Sequence, residues 1–337
     1  MKSLLIIVFF IIAICSCNVV DKESFVAPSR NIDGKIIMDK DSSLMIGERC
    51  YLTVLNNDVY IYNPWGGYFF TKYDIANDIA YRFCRQGQGP GEFLNAVPEI
   101  TQIALEDINN ISVFDNAFHK FILFEENQIL DNSNIKEVFL KSEEAMIIGA
   151  FQINDSIVFA TGVFEKNICG FYKHGIRQEV LLESFTKVGA DNHQKRIFKD
   201  ANKFDLSPNK EFLVRITQNG GLIEAYKIEN MQLIQQFSHA YFDVICDYKL
   251  SDTRNSRYGY IDVSISNNKI YGLYDGGLVA RENTFRSNEV HVYDMKGILI
   301  EKLILDQYVR SIGVNNEETQ LYAISRRELD LLLYNLN

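Results

Sequence analysis

Three groups of residues in this sequence have types and spacings that could carry chemistry, and the first is a glycine-rich stretch. In RQGQGPGEFLN, Gly87, Gly89, Pro90 and Gly91 lie between two strand-like runs. Glycine-rich loops cradle phosphates when Gly-Lys-Ser/Thr opens a helix or when GxGxxG joins a strand to a helix. Here the spacing is GxGxG and a strand-like run follows. The stretch therefore predicts a sharp structural turn, in which glycine supplies positive φ angles and Pro90 stiffens the backbone.

The second group consists of carboxylates and histidines that could hold a metal. Glu99, Asp205 and Asp262 adjoin apolar runs, and carboxylate oxygens are ligands that Ca²⁺ prefers. The alternative is that they are ordinary turn or channel-lining groups. The five histidines form no HxH or HxxxH pair, and there is no GxSxG nucleophile motif. The sequence therefore predicts no cofactor, and Ca²⁺ is expected only if the protein is a hydrolase.

The third group is a set of basic side chains in three long polar segments, residues 183–203, 246–259 and 275–288. These segments hold ten Lys/Arg and seven Asp/Glu, a balance of +3, in a chain of net charge −10. Solvated loops without a ligand are the alternative to a binding surface. The residues predicted to bind an anionic ligand are Lys195, Arg196, Lys203, Arg254, Arg257, Tyr258, Arg281 and Arg286.

The N-terminal residues have the layout of an export signal. Lys2 is followed by the apolar run SLLIIVFFIIAI, which is shorter than the stretch of about 20 apolar residues that a transmembrane helix needs. Ile14-Cys15-Ser16-Cys17 resembles a bacterial lipobox, with a small residue before the cysteine that is lipidated. We predict a signal peptide over residues 1–16, lipidation at Cys17, and a flexible polar tether over residues 17–33. An ordinary cleaved signal or an uncleaved anchor is the alternative.

Charge and cysteine content narrow the class of protein further. Removing residues 1–16, which carry one positive charge, changes the net charge from −10 to −11, which argues against a nucleic-acid partner. Cys50, Cys84, Cys169 and Cys246 form no CxxC pair, so neither a zinc site nor a redox centre has support. Export permits disulfides, but the apolar neighbours of Cys50 and Cys169 suit packed thiols equally well.

A repeat of about 50 residues must position all these groups. Short β-branched or aromatic runs recur six times at spacings of 46 to 58 residues. Each run is followed by an aromatic residue that directly precedes a polar one. The distance between these two marks is 23 residues in the fifth unit and 13 to 15 residues in the other five units. The two marks define two strands of each unit, and the sequence has room for an inner strand before the first mark and an outer strand after the second. Each unit therefore has the four strands of a propeller blade. The first marks are Val59, Ile111, Ile157, Phe212, Ile270 and Leu321, and the second are Tyr73, Phe124, Tyr172, Tyr226, Tyr293 and Tyr334.

We therefore predict an all-β fold, a six-bladed β-propeller with four-stranded blades over residues 34–337. A two-layer sandwich would explain neither the sixfold count nor the missing fourth strand of the last unit. GKIIMDK can supply that strand, with Lys35 to Asp39 beside Leu331 to Tyr334, so that an N-terminal strand closes the ring. In such a ring the three basic segments emerge on one face, because all connect second to third strands or outer to inner strands.

One blade boundary carries a family resemblance. GQGPGEFLNAVPEITQIALEDINNISVFDNAFHKFILF resembles an NHL-type repeat, and its GxGPGEF element is similar to that of the TolB-like six-bladed propeller lipoproteins of Bacteroidota. The full motif covers one boundary, whereas the two-mark pattern covers residues 34–337. The resemblance implies an exported lipoprotein that serves as a binding scaffold, with no general catalytic residues to carry over.

The expected function is therefore binding in the cell envelope. The protein would be anchored in the outer membrane by its lipid, face the periplasm or the surface, and bind an anionic glycan, peptide or envelope protein. The alternative is an enzyme, a Ca²⁺-dependent lactonase or phosphoesterase, with Glu99, Asp205 and Asp262 as candidate ligands. Trp65, in the turn NPWGGY, could stack on a sugar, although packing against a neighbouring blade is favoured.

Overall fold

The fold consists of β-strands throughout the described part of the chain. The computed structural model describes residues 26–38, 46–105, 108–126, 129, 135–141, 146–164, 167–183, 202–218, 221–241, 257–278 and 287–337. Within these ranges, four sheets contain four strands each and a fifth contains eight. No helix in the same ranges has the length and hydropathy needed to cross a bilayer.

Two short strands precede the first four blades, and each of these blades is an antiparallel meander. The two short strands are β1 (Ser29–Ile32) and β2 (Gly34–Met38). Blade 1 contains β3 (Tyr51–Leu55), β4 (Asp58–Trp65), β5 (Tyr68–Asp74) and β6 (Ile79–Arg85), and blade 2 contains β7 (Ala96–Leu105), β8 (Ile108–Asp115), β9 (Lys120–Glu125) and β10 (Ile135–Phe139). Blade 3 contains β11 (Met146–Gln152), β12 (Ile157–Phe164), β13 (Asn167–Lys173) and β14 (Ile176–Glu183), and blade 4 contains β15 (Asn202–Leu206), β16 (Phe212–Thr217), β17 (Leu222–Glu229) and β18 (Gln232–Ala240).

The eight-stranded sheet contains the last two blades, joined by one long strand. Its strands in chain order after β2 are β19 (Tyr260–Ile265), β20 (Lys269–Tyr274), β21 (Ser287–Asp294), β22 (Leu299–Val314), β23 (Gln320–Ser325) and β24 (Leu331–Asn335). The first half of β22 pairs with β21 and its second half pairs with β23. β22 is therefore both the outer strand of blade 5 and the inner strand of blade 6.

The ring is closed by the N-terminal strand, as the sequence predicts. β2 pairs antiparallel with β24, with Gly34 opposite Tyr334 and Ile36 opposite Leu332. A Cβ atom on Gly34 would lie 2.7 Å from the Tyr334 ring, so only glycine permits this close approach. The pairing covers a sheet edge that would otherwise be open.

The predicted boundary between tether and propeller at residue 34 is placed too late. β1 lies within the predicted tether but pairs in parallel with β22, from Ser29 opposite Lys302 to Ile32 opposite Leu305. Arg30 Nε lies 3.2 Å from Glu301 Oε2, and Arg30 Nη2 donates to the Leu336 carbonyl at 3.0 Å. β1 is held by backbone hydrogen bonds at a sheet edge and by an ion pair, and neither requires alternating apolar side chains. For this reason the sequence pattern of this polar segment does not predict a strand.

The core lies between blades, in six apolar clusters. Each cluster draws its buried residues from two consecutive blades, and one of them joins blade 6 to blade 1. The two sequence marks meet across the second and third strands, where Val59 pairs with Tyr73 and Leu321 with Tyr334. Cross-strand pairs of this kind stabilise a sheet. Because each blade is covered on both faces, its middle strands are buried almost without alternation.

The described cysteines are packed thiols. Cys50, Cys84 and Cys169 are buried, and no disulfide joins them. Burial raises the pKa of Cys50 to about 11 and also raises the pKa of Cys84 and Cys169. Their thiolates are therefore scarce at neutral pH, which makes these side chains unreactive. Cys246 lies outside the described residues.

Candidate functional site: the long-loop face and the channel

The two faces of the ring differ in the connections that they carry. Since the blades are antiparallel, the connections from second to third strand and from outer to next inner strand share one face, which we call the long-loop face. The turns between first and second and between third and fourth strands form the opposite, short-turn face. Several predicted groups lie outside the described residues, namely Cys17 as lipidation site and Lys195, Arg196, Arg254, Arg281 and Arg286 as ligand-binding residues.

Arg257 and Tyr258 lie on the long-loop face, where two of the predicted segments meet. Arg257 Nη1 donates to the Gly276 carbonyl at 2.8 Å, and the Tyr258 amide donates to the Gly277 carbonyl at 2.8 Å. Arg257 also forms an isolated β-bridge with Leu278. The bases of the segments 246–259 and 275–288 are thus held side by side.

Lys203 belongs to the central channel, which corrects its predicted role as a loop residue. It lies in β15, the inner strand of blade 4, and its Nζ forms an ion pair with the Asp262 carboxylate. The Nζ atom also lies 5.0 Å from the centroid of the Tyr51 ring. Burial acts to lower the pKa of Lys203, but Asp262 and Asp205 outweigh it and the pKa is raised. Lys203 is therefore a charged group already committed to a partner.

Asp262 ties together the inner strands of blades 5, 6 and 1. Its Oδ2 accepts hydrogen bonds from Ser311 Oγ at 2.5 Å and from the Ile312 amide at 3.0 Å. Ser311 Oγ in turn accepts from the Leu52 amide at 2.8 Å. With Lys203 from blade 4, this network joins four of the six blades around the channel.

The other two carboxylates proposed for Ca²⁺ also face the channel. Asp205 accepts hydrogen bonds from the amides of Leu206 and Ile265, each at 3.0 Å, and burial raises its pKa to about 7. Burial likewise raises the pKa of Glu99 to about 7, and its Oε2 has no hydrogen-bond partner. No group of three His, Cys, Asp or Glu side chains in the described ranges is placed to hold a metal. Asp205 and Asp262 act as structural hydrogen-bond acceptors.

The channel has little room for a ligand. A cavity in the channel measures about 110 Å³, whereas small-molecule sites usually occupy roughly 300–1,000 Å³. Polar side chains such as Thr53, Thr101 and Ser207 line this cavity. The described channel is therefore a packed, hydrogen-bonded axis, and the surface at its mouth is the better candidate for binding.

An arginine pair near the channel mouth escaped sequence analysis. Arg310 lies in the second half of β22, and its Nη1 donates to Cys50 Sγ at 3.9 Å. Arg326 follows β23 on the long-loop face, and its amide donates to the Tyr308 carbonyl at 2.8 Å. Burial and the charge of Arg310 lower the pKa of Arg326. Two nearby carboxylates act in the opposite direction without cancelling this effect, so an additional anion beside the guanidinium groups would still be stabilised there.

The exposed aromatic side chains of the described residues all lie on the long-loop face. They are 40 to 59% exposed, and they are Tyr51, Trp65, Phe118, Phe139 and Tyr308. Trp65 is 57% exposed at the end of β4, so the expectation that it packs on a neighbouring blade is wrong. Sequence patterns missed the other four because each occurs singly in a strand or turn.

Two of these aromatics flank a basic side chain on blade 2. Lys120 Nζ lies 5.3 Å from the ring centroid of Phe118 and 5.9 Å from that of Phe139. The same Nζ lies 2.7 Å from Glu137 Oε1. The contacts hold both rings at the edge of the blade, with their outer surfaces open to solvent.

The glycine-rich turn lies between β6 and β7, also on this face. The Glu92 amide donates to the Gly89 carbonyl at 3.0 Å, with Pro90 and Gly91 at the corner and a φ of +72° at Gly91. Glu92 Oε2 accepts a hydrogen bond from the Gly89 amide at 2.8 Å, and a Cβ atom on Gly87 would collide with this carboxylate. The backbone of the turn is thus hydrogen-bonded to a carboxylate of the chain itself, in agreement with a structural turn.

Six four-stranded blades around a channel make this protein a six-bladed β-propeller. The family model described as TolB-like 6-blade propeller-like matches residues 51–317, and the chain belongs to that family. No curated protein matches the sequence.

Solved structures show the same fold at low sequence identity. A protein from Bacteroides fragilis described as exported has a TM-score of 0.56 and 10% identity, covering 92% of this chain and 99% of its own. A DUF4221 family member from Bacteroides vulgatus has a TM-score of 0.52 and 12% identity, covering 90% and 95%. The Cps50 (Swd1) propeller domain of Myceliophteria thermophila has a TM-score of 0.50 and 13% identity, covering 88% and 100%. At these identities the likeness concerns the fold alone.

Proposed function

We propose that this protein is a lipid-anchored binding module of the cell envelope that captures an anionic partner on its long-loop face. The observation that carries this proposal is the confinement of the exposed aromatic side chains to that face. Tryptophan, tyrosine and arginine are enriched among the few residues that contribute most of the binding energy in protein interfaces. The opposite face, within the described ranges, exposes aliphatic rather than aromatic side chains.

The charge of the partner follows from the basic groups on the same face. Arg310 and Arg326 lie close enough for the charge of one to lower the pKa of the other, and Arg257, which belongs to the predicted segment 246–259, is exposed on the same face. Charge-assisted hydrogen bonds to carboxylate, sulfate or phosphate contribute roughly 1.5–3 kcal/mol each when shielded. A chain of net charge −10 would otherwise repel such a partner.

The spread of the aromatic residues supports a large partner. Trp65 belongs to blade 1, Phe118 and Phe139 to blade 2, and Tyr308 to the junction of blades 5 and 6. Neither the 110 Å³ cavity in the channel nor the smaller one beside it is lined by these side chains. An anionic glycan, peptide or envelope protein laid across the face would meet these groups together. Lipidation at Cys17 in the outer membrane would hold the propeller in the envelope, and the similar fold of an exported protein is consistent with that location.

An array of glycans and peptides, both anionic and neutral, tests this function. The mature chain with Cys17→Ala would be applied at ionic strengths of about 0.01 and 1 M, where the Debye length is about 30 and 3 Å. We expect anionic ligands to be preferred and their capture to be lost at high salt. Joint replacement of Lys195, Arg196, Arg254 and Arg257 by Ser should weaken capture, with at most a small drop in melting temperature from the lost bond between Arg257 and the Gly276 carbonyl.

A matched control removes four basic groups from the short-turn face. Joint replacement of Lys173, Arg177, Lys227 and Lys296 by Ser changes the net charge equally and should leave capture nearly intact. A preference for neutral ligands, or equal losses in both variants, would contradict the proposal. Stoichiometric Ca²⁺ together with esterase or lactonase turnover would replace binding by hydrolysis as the function.

A further inference from the structure

The chain joins the ring from the short-turn face. β1 runs parallel to the first half of β22, which leads as an outer strand from the short-turn face towards the long-loop face. The N-terminal end of β1 therefore lies on the short-turn side. The Pro28 carbonyl accepts a hydrogen bond from the Lys302 amide at 2.9 Å, and Ala27 packs against the apolar cluster between blades 4 and 5. The position of the chain is thus fixed from Ala27 onward.

The distance from Cys17 to this point is limited by the covalent chain. Val26 follows Cys17 by nine residues, which span at most about 32 Å in any conformation. A blade strand of six or seven residues is itself about 20 Å long. If the long-loop face were turned towards a bilayer, the segment from Cys17 to Val26 would have to run along the whole height of the ring. That path would take up most of the maximum length of the segment. A short tether consequently favours one orientation.

Most of the exposed aliphatic side chains have a matching distribution. Leu94 and Leu278 are exposed on the long-loop face, but the exposed valine and isoleucine side chains of the described residues, apart from Ile36 on the rim, lie on or next to the short-turn face; they are Val26, Ile79, Ile108, Ile176, Ile234, Ile298 and Ile300. They come from five different blades, so they surround the channel on this side. The same face exposes carboxylates such as Asp78, Asp155 and Glu229 together with basic groups such as Lys173 and Lys296, so it has no one-sided charge to attract anionic headgroups. Its contact with a bilayer must therefore depend on the tether and on apolar side chains.

We propose that the short-turn face is the membrane-facing surface of the protein, fitted to a bilayer of neutral headgroups, and that the long-loop face is presented away from the membrane. The inference rests on the lipid anchor of the proposed function. It goes beyond that function because it assigns each face a different partner: lipid on one side, the captured ligand on the other.

Energy transfer from single labelled sites to headgroup acceptors in the bilayer tests the orientation. The lipidated chain, in a Cys246→Ser background, would carry Ile298→Cys or Phe118→Cys and be reconstituted into phosphatidylcholine vesicles containing a fraction of acceptor-labelled lipid. Since the other described cysteines beyond the anchor are buried, labelling is directed to the introduced site. We expect strong transfer from position 298 and a loss of transfer at position 118. The pair Ile79→Cys and Tyr308→Cys repeats the comparison on other blades.

The outcomes separate the orientation from the anchor. Transfer that is equal at both positions, stronger at 118 or absent at both in vesicle-bound protein would overturn the orientation while leaving the anchor intact. Failure of the lipidated chain to remain with the vesicles would overturn the anchor and the inference with it. Lengthening the segment between Cys17 and Val26 with a Gly/Ser linker should reduce the difference between the faces, and an unchanged difference would show that the tether does not set it.

Discussion

At the scale of single residues, burial and pairing decide what the channel side chains can do. Asp262 and Lys203 form an ion pair because each compensates the other inside the ring. Glu99 has one oxygen without a hydrogen-bond partner, and burial raises its pKa to about 7. Glu99 is therefore a group whose charge costs stability, whereas Asp262 organises the surrounding strands.

Replacement of Glu99 by Gln should reveal this cost as a pH dependence. The folded-state pKa of about 7 is higher than the ordinary value of 4.5, so Glu99 gains a proton on folding between these pH values and the native state loses stability as pH rises through this window. The free energy of unfolding of Glu99→Gln relative to wild type should therefore increase between pH 5 and pH 8, by up to about 3 kcal/mol. Urea denaturation at several pH values measures it.

A channel variant without a titrating group provides the control for Glu99→Gln. Thr101→Val removes a buried hydroxyl that also lacks a hydrogen-bond partner, and its effect on the free energy of unfolding should be independent of pH. If the Glu99→Gln difference were equally flat, Glu99 would not be a source of pH dependence.

Breaking the Asp262 network should be costly. Asp262→Asn removes the carboxylate that is ion-paired with Lys203 and weakens the bonds to Ser311 and Ile312, for an expected loss of about 3 kcal/mol in the free energy of unfolding. The double variant Lys203→Met with Asp262→Asn should lose less, because no uncompensated charge remains. Denaturant titration compares the variants. Equal stability of wild type and Asp262→Asn would refute the structural role.

At the scale of elements, the sequence predicts what depends on cross-strand pairing. The recurring marks fall on second and third strands because an aromatic such as Tyr73 must pack opposite an apolar partner such as Val59. The continuity of β22 through two blades was not predictable, since the pattern shows two strands and not the absence of a break between them. β1 was missed because its pairing depends on backbone bonds and one ion pair. Lys203 was misplaced because sequence alone does not say on which side of a loop boundary a basic residue lies.

Ring closure by β2 can be tested with two deletions. Removing residues 18–25 leaves every described contact of β1 and β2 in place, so the melting temperature should be nearly unchanged. Removing residues 18–38 also deletes β1 and β2, exposes the edge of β24, and should lower the melting temperature and promote aggregation. Differential scanning fluorimetry with light scattering compares the two. Equal behaviour of both truncations would show that the N-terminal strand does not close the ring.

At the scale of the whole molecule, the ring separates its surfaces by chemistry. In the described residues the exposed aromatic groups and the arginine pair lie on the long-loop face, and all but one of the exposed valine and isoleucine side chains lie on or next to the short-turn face. The sequence predicted a long-loop face with excess positive charge, but most of the residues chosen for it lie outside the described ranges. The aromatic set became visible only in the folded chain, because its members are far apart in sequence and share only the face of the ring on which they lie.

The most direct test of the central claim, capture of an anionic partner on the long-loop face, is the affinity of an Arg310→Ser, Arg326→Ser double variant for a sulfated polysaccharide probe. Biolayer interferometry at an ionic strength of about 0.01 M, where screening is weak, would compare it with wild type and with Lys173→Ser, Lys296→Ser as the matched control on the other face. We predict about a tenfold loss of affinity, equal to about 1.4 kcal/mol, for the arginine variant alone. Equal affinity of wild type and the arginine variant, or an equal loss in the control, would contradict the claim.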